Sequence, residues 1–254
     1  MKEGKTSYGL HLLARSGKGA IAWDPRHMID EEMAERAGFE YLTTVDTGQD
    51  LEEAIQEYDP GELVVVRPSG LDLETEFHEI IGVLLDPPER FHDWALLVDE
   101  AASLQSAHAI TPDLDRIVRQ HPRSALIVQT THSLQDWHRS SRDLTDAMVA
   151  FRLQGRSLDA FVEYADGSED MRQAVLDLPR HHAILIDCGS EPGAEEFTYI
   201  EPQEWWNNKV LDKSFSEAYN GGEHGETGGA ADKGNGQEER FVGEGSPRTP
   251  PEND

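Results

Sequence analysis

The stretch GKTSYGLHLLARS, residues 4–16, joins a short glycine-containing turn directly to an amphipathic segment. Gly4, Lys5 and Thr6 match the end of the phosphate-binding motif G-x-x-x-x-G-K-[ST], whose first glycine would fall before Met1. In such a loop the turn runs into a helix, so that free backbone N–H groups and the helix dipole face a phosphate. Residues 8–16 have helical apolar spacing, and the stretch therefore predicts a nucleotide-phosphate site.

The segment WALLVDEA, residues 94–101, supplies the acidic groups that this chemistry requires. Residues 95–98 are apolar, as in a buried strand, and Asp99 and Glu100 follow at its end. An acid at this place holds Mg²⁺ and a second acid polarises the attacking water. Each acid alone also fits a strand end that faces solvent. Together with a G-K-T that opens a helix, the pair predicts an ATP site.

Polar residues follow the next apolar run, SALIVQTTHS at 124–133. Because side chains alternate along a strand, Gln129 and Thr131 point to the same side, and either is a candidate sensor of the γ-phosphate. His132 points the other way and is assigned a structural role. Asp24, at the end of an earlier apolar run, is expected to cap the turn that follows it.

Apolar runs alternate with amphipathic segments from about Tyr8 to Glu201, which is typical of an α/β fold with a mostly parallel sheet between helices. The predicted strands are 19–25, 62–68, 94–101, 124–133, 147–155, 181–189 and 196–202. The predicted helices are 8–16, 51–58, 74–85, 113–121, 157–165 and 169–178, and residues 134–146 are predicted to be a polar loop.

The charge of the chain limits its partners. There are 50 acidic and 22 basic residues, a net charge of -28, and only 6 of the basic residues are lysine. This balance argues against a protein that binds nucleic acid on its own through a generally basic surface, although it does not exclude a local basic patch. It also suits a very salty cytoplasm, where a Debye length of about 3 Å at 1 M screens self-repulsion. We hold a halophilic source as a hypothesis, which unfolding in molar KCl but not in dilute buffer would contradict.

Cysteine content and hydropathy point to an intracellular protein. The single Cys188 permits no internal disulfide, which fits a reducing interior. No apolar run approaches the roughly 20 residues that span a bilayer. We therefore expect a soluble chain that is not an integral membrane protein, cytoplasmic in its host or associated with a virion.

The order of these elements resembles a known family, the FtsK/HerA-type P-loop ATPases of the ASCE class. Within that group the chain is most similar to the DNA-packaging ATPases of membrane-containing icosahedral viruses, with the Zot-like phage assembly ATPases second. The segments that carry the resemblance are GKTS at 4–7, WDPRH at 23–27, LLVDEA at 96–101, IVQTTHS at 127–133 and AFRLQG at 150–155.

The resemblance implies a ring, usually a hexamer, that hydrolyses ATP between subunits and pulls double-stranded DNA through its centre. ATP and Mg²⁺ are the implied cofactors. By this resemblance the residues of 4–7 (Gly4, Lys5, Thr6, Ser7) hold the nucleotide, Thr6 and Asp99 bind magnesium, and Glu100 acts on the catalytic water. Thr131 or Gln129 would then contact the γ-phosphate.

Such rings also need an arginine from the neighbouring subunit to stabilise the charge of the transition state. Arg139, Arg142, Arg152 and Arg156 lie on or beside the last core strands, where such a residue would project. Arg152 and Arg156 are the preferred pair.

The family's phosphate loop follows a central strand, and in this chain the first core strand is apparently absent. A parallel sheet without it would have a gap in its middle. We expect an upstream start at a non-ATG codon, a fragment, or another segment that fills the gap.

Residues 207–254 are rich in Gly, Glu and Asn and are too polar to form a core, so we predict a disordered acidic tail after a P-loop ATPase domain at 1–206. Trp205 and Trp206, at the domain edge, either close the core from outside or dock a capsid or membrane protein.

Two other functions stay open. An incomplete phosphate loop fits a P-loop fold that has lost catalysis and serves as an assembly or binding protein. An NTP-dependent small-molecule kinase would need an arginine-rich lid, for which only Arg139 and Arg142 are available.

Overall fold

The computed structural model of the chain describes residues 4–59, 61–86, 91, 93–120, 125–165, 167–188 and 197–202. Within these ranges the strands are β1 (Gly19–Trp23), β2 (Tyr41–Val45), β3 (Glu62–Val66), β4 (Trp94–Val98), β5 (Leu126–Gln129), β6 (Ala147–Phe151), β7 (Ala183–Asp187) and β8 (Phe197–Ile200). The α-helices are α1 (Lys5–Arg15), α2 (Glu31–Ala37), α3 (Gly48–Gln56), α4 (Leu73–Leu85), α5 (Pro112–Gln120), α6 (Arg139–Asp143), α7 (Arg156–Tyr164) and α8 (Glu169–Asp177).

The larger sheet has five strands in the order β2-β3-β1-β4-β5, and every neighbouring pair is parallel. This arrangement confirms the predicted α/β fold with a mostly parallel sheet. Every residue of β3 and of β4 is buried. Strands covered on both faces are nearly continuous apolar runs, which is why β3 after its first residue, Glu62, and the whole of β4 lack the alternation of a half-exposed strand.

Helices cover both faces of this sheet. Residues of α3, α4 and α5 pack on one face against side chains that include Trp23, Val64 and Leu96. Residues of α1 and α2 pack on the opposite face, against side chains that include Ala22 and Leu97. Because the strands are parallel, their carboxyl ends meet at one edge of the sheet, and the loops that follow β1, β4 and β5 come together there.

The smaller sheet is antiparallel, with the order β6-β7-β8. One of its faces packs against α7 and α8, where Met148 and Ala150 are buried. The other face packs against α1, where Tyr8 lies in a cluster with Phe151, and Leu12 packs against that cluster. Since Leu10 and Leu13 of the same helix pack on the larger sheet, α1 contacts both sheets.

The structure adds elements that the sequence analysis did not predict. The helix α2 is capped by Asp30, whose side chain accepts a hydrogen bond from the Met33 amide, and it ends at Gly38 with φ 109°. The strand β2 follows it. The predicted polar loop at 134–146 contains a 3₁₀ turn (Leu134–Asp136) and α6. Trp205, Trp206 and the predicted tail lie outside the described residues.

Among the helices that the structure describes, none is both long enough and apolar enough to cross a membrane.

Candidate nucleotide site

The amino-terminal end of α1 lies beside the end of β4. Gly4 precedes the helix with φ 92°, a conformation that glycine adopts without strain. The Thr6 hydroxyl donates a hydrogen bond of 2.9 Å to Asp99 Oδ1. A Cβ added to Gly9 would lie 2.8 Å from Leu97 Cδ1, so the helix backbone approaches β4 closely. The structure thus joins two predicted motifs that are far apart in the sequence.

Lys5 lies at the same edge of the sheet. Its ammonium group donates a hydrogen bond of 2.8 Å to the Thr131 carbonyl and contacts His132 Nδ1 at 2.7 Å. An ammonium group can only donate, so Nδ1 accepts and the ring hydrogen is on Nε2. That nitrogen lies 3.0 Å from Glu100 Oε2. His132 therefore connects the lysine to the acid, a role beyond the structural one predicted for it.

Asp99 is buried, with 6% of its surface exposed. Its Oδ1 accepts hydrogen bonds from the hydroxyls of Thr130, at 2.6 Å, and Thr6, at 2.9 Å. Burial raises the pKa of the Asp99 carboxyl above its ordinary value, the carboxylates of Asp24 and Glu100 act in the same direction, and the two hydroxyl hydrogen bonds act against it. A cation would favour the ionised carboxylate at this position.

The residues present fit Mg²⁺. Thr6 Oγ1 and Asp99 Oδ1 are neighbouring oxygens, and Mg²⁺ prefers one or two protein oxygens together with water and phosphate oxygens. In the part of the chain that the structure describes, no group of three or more His, Cys, Asp or Glu side chains is placed to hold a metal ion. Any magnesium here would therefore depend on phosphate and water for most of its ligands.

Glu100 has a left-handed backbone, with φ 51° and ψ 53°. Few residues other than glycine adopt this conformation. Its side chain, 13% exposed, lies 3.2 Å from the guanidinium of Arg26 and 3.0 Å from His132. Its backbone N–H donates to Thr130 Oγ1 at 3.0 Å. The acid is thus fixed from both its main chain and its side chain.

Thr130 is the residue of the 124–133 segment that hydrogen-bonds with both acids, and it was not among the residues predicted from the sequence. Gln129 instead accepts a hydrogen bond of 2.9 Å from Gln105, and the Thr131 hydroxyl makes a local turn with Ser133. The alternation of side chains along a strand could have indicated Thr130, because it places this residue on the side opposite Gln129 and Thr131. Sequence alone did not indicate which side faces Asp99.

The contacts described so far form one cluster, which consists of Lys5, Thr6, Asp99, Glu100, Thr130 and His132. The remaining predicted residues lie around this cluster. Ser7 is half-buried in the first turn of α1. Asp24 is fully buried and accepts hydrogen bonds from the amides of Met28, at 3.0 Å, and Ile29, at 2.8 Å. The capping role predicted for Asp24 is confirmed.

The four candidate arginines lie outside the cluster. Arg139 pairs with Asp143 within α6, at 3.0 Å. The Arg142 carbonyl accepts a hydrogen bond from the Tyr164 hydroxyl. Arg152 and Arg156 are exposed between the end of β6 and the start of α7. Among the residues that the structure describes, Arg26 is the arginine that pairs with Glu100. It lies in the WDPRH segment after β1 and was given no role from the sequence.

No protein-family model matches this sequence, and no curated protein does. Solved structures share its fold. The genome packaging NTPase B204 from Sulfolobus turreted icosahedral virus 2, in complex with AMPPCP, aligns with a TM-score of 0.56 at 17% identity, over 79% of this chain and 93% of that chain. Its complex with ATP-gammaS aligns with a TM-score of 0.54 at 18% identity, over 79% of this chain and 92% of that chain.

A third similar structure is B204, the DNA-packaging ATPase from Sulfolobus Turreted Icosahedral Virus, with a TM-score of 0.55 at 16% identity, over 79% of this chain and 93% of that chain. The chain therefore has the α/β fold of a viral genome-packaging NTPase. The narrower resemblance to FtsK/HerA-type or Zot-like ATPases stays a prediction.

Thr130→Val is expected to lower the free energy of unfolding by about 2 kcal/mol, because it removes two buried hydrogen bonds and leaves the Glu100 amide without its acceptor. Urea denaturation measures the effect. Thr131→Val is the matched control, since the hydroxyl of Thr131 bonds only within its own turn. A loss in Thr130→Val no larger than that of the control would contradict the role given to Thr130.

Proposed function

We propose that the chain is the nucleotide-binding domain of an ATP-hydrolysing DNA-packaging motor of a virus or mobile element. The observation that carries the proposal is the 2.9 Å contact between Thr6 and Asp99, which brings the G-K-T helix start to the acidic strand end. Lys5 and Glu100 lie beside this contact. The fold shared with viral genome-packaging NTPases supports the choice among P-loop functions.

In this proposal each residue has one task. Gly4, Lys5 and Ser7 bind the phosphates, and Thr6 and Asp99 hold Mg²⁺, which supplies charge neutralisation for the phosphates. Glu100 accepts a hydrogen bond from the attacking water and orients it. Thr130 fixes both acids. Either Gln129 or Thr131 would contact the γ-phosphate once nucleotide binding changes its hydrogen bond to Gln105 or to Ser133.

The motor would be a ring, as a hexamer, with the transition-state arginine supplied across a subunit boundary by Arg152 or Arg156. Their exposure supports this assignment, because a residue that acts on a neighbouring subunit must project from its own. Double-stranded DNA would pass through the ring. Capsid or membrane proteins would dock on the carboxyl-terminal region, in the host cytoplasm or in the virion.

A second function is favoured by one observation. The Glu100 carboxylate is paired with both Arg26 and His132, and Lys5 is hydrogen-bonded to the Thr131 carbonyl. A protein that keeps these pairs when nucleotide arrives would bind ATP and not hydrolyse it. Such a protein would act as an assembly or binding protein that has lost catalysis.

Steady-state ATP hydrolysis with and without linear double-stranded DNA tests the proposal. We expect DNA to stimulate turnover on the order of 10-fold, and we expect less stimulation as salt weakens the phosphate contacts. Single-stranded DNA of equal nucleotide content is the control. Nucleotide binding without turnover in any condition, dilute buffer and molar KCl included, would favour the assembly function, and turnover unaffected by DNA would contradict the motor.

A further inference from the structure

His132 joins two side chains of opposite charge. Its Nδ1 lies 2.7 Å from the Lys5 ammonium group, and its Nε2 lies 3.0 Å from Glu100 Oε2. Arg26 approaches the same carboxylate oxygen, at 3.2 Å. The four side chains therefore form one row of contacts, which starts at α1 and connects the loops that follow β5, β4 and β1.

These contacts fix the imidazole ring. Since Nδ1 accepts from Lys5, the ring hydrogen is on Nε2 and is directed to Glu100. Hydrogen bonds in series polarise one another, so a cation on the accepting nitrogen strengthens the bond that the other nitrogen donates. The side chain of His132 is 60% exposed. Packing alone therefore does not hold the ring, and its orientation depends on its two charged neighbours.

A bound triphosphate would compete for the Lys5 ammonium group. This group has three N–H donors, and two of them are directed to the Thr131 carbonyl and to His132. The lysine of a phosphate loop reaches both the β- and the γ-phosphate, so at least one of the present bonds must break. The bond to His132 is exposed and the bond to Thr131 is partly buried. Because water replaces an exposed partner at lower cost, we expect Lys5 to leave His132 first.

Loss of the Lys5 contact weakens the contact that follows it. Without an ammonium group on Nδ1, the ring donates less strongly to Glu100, and its exposed side chain can turn toward solvent. Arg26 would remain on the carboxylate and keep it in place. The lone pair of Glu100 that His132 leaves can accept a hydrogen bond from the attacking water.

We propose that His132 is a positioning residue that couples the phosphate site to the catalytic acid. It holds Lys5 and Glu100 in the empty site, and it releases Glu100 when a triphosphate draws Lys5 away. This inference rests on the proposed ATP site and does not depend on DNA or on a ring. It makes His132 a competitor of the nucleotide for Lys5. Removal of the ring should therefore strengthen nucleotide binding, whereas removal of a residue that contacts the nucleotide weakens it.

Titration calorimetry with Mg²⁺ and the analogue AMPPCP tests the proposal. His132→Ala is expected to bind the analogue about 5-fold more tightly than the unsubstituted chain, because the nucleotide no longer has to break a hydrogen bond of about 1 kcal/mol. His132→Asn keeps an acceptor for Lys5 and should bind as the unsubstituted chain does. His108→Ala, at an exposed position outside the cluster, is the control. In steady-state assays with ATP, His132→Ala should lower KM and leave kcat within a few-fold.

Binding of AMPPCP by His132→Ala that is equal to or weaker than that of the unsubstituted chain would overturn the proposal. A large loss of kcat in this variant would also overturn it, because the ring would then act in the transition state. Equally tight binding by His132→Asn and His132→Ala would show that competition for Lys5 is not the cause. Absence of binding in every variant, the unsubstituted chain included, would instead contradict the ATP site itself.

The ring nitrogens of His132 give a second measurement, by nuclear magnetic resonance of the ¹⁵N-labelled chain. In mildly alkaline buffer, where histidine is ordinarily neutral, we expect the ring hydrogen on Nε2 in the nucleotide-free protein. Saturating AMPPCP should move the Nδ1 signal toward that of the exposed His108, and Lys5→Ala should do the same without nucleotide. A His132 signal that responds to neither change would overturn the proposal, even if ATP is bound and hydrolysed.

Discussion

Lys5→Ala is expected to bind ATP about 100-fold more weakly than the unsubstituted chain and to lose its turnover. The ammonium group lies at the start of α1 beside Thr131 and His132, where a phosphate would replace these two neutral acceptors with charged ones. Hydrogen bonds to charged groups contribute about 1.5–3 kcal/mol each, which corresponds to the expected loss. Titration calorimetry measures the affinity and a phosphate-release assay the turnover.

Lys18→Ala is the matched control, because Lys18 lies beyond the opposite end of α1. Its affinity for ATP should be that of the unsubstituted chain. If Lys5→Ala and Lys18→Ala bind ATP equally well, the helix start is not a phosphate site, and the interpretation of the GKTS segment fails with it.

Glu100→Gln is expected to lower turnover about 1,000-fold while ATP affinity changes only a few-fold. The amide keeps the shape of the side chain but is a poor base, and a positioned general base contributes roughly 10²–10⁴ in rate. Combined with retained binding, this loss would separate the catalytic role of Glu100 from a role in holding the nucleotide.

Glu79→Gln, on the exposed face of α4, is the control for the loss of one negative charge. Thermal unfolding of both variants checks that the lost pairs with Arg26 and His132 have not unfolded the protein. Turnover that survives in Glu100→Gln would remove this residue from the mechanism and would direct attention to another acid.

The helix start and the strand end that position the site were predictable from sequence, because neighbouring residues specify each of them. A glycine followed by Lys-Thr and an amphipathic run specifies a helix start, and an apolar run ended by two acids specifies a buried strand. Each of these two signals is contained in a stretch of about a dozen residues or fewer. The structure places them as expected, with Thr6 against Asp99. The helix begins at Lys5, where apolar spacing alone had placed its start at Tyr8.

The contacts that complete the site were not predictable, because they join loops distant in sequence. Arg26 follows β1 and His132 follows β5, and each meets Glu100 only after the sheet has brought those strand ends together. Alternation divided the 129–132 segment correctly into two sides but could not say which side faces Asp99. The elements α2 and β2 were missed because their apolar runs are short and half-exposed.

The left-handed backbone of Glu100 has a consequence for the evolution and engineering of this protein. An L-residue in that conformation is strained by roughly 1–2 kcal/mol, and glycine or asparagine at the same position relieves much of it. Natural proteins keep such strain where activity requires it. In the proposed mechanism, where Glu100 acts on the attacking water, thermal stability and turnover are therefore opposed at this position. A variant chosen from a library for heat resistance alone would tend to replace the carboxylate, and the enrichment of glycine there would record the loss of catalysis.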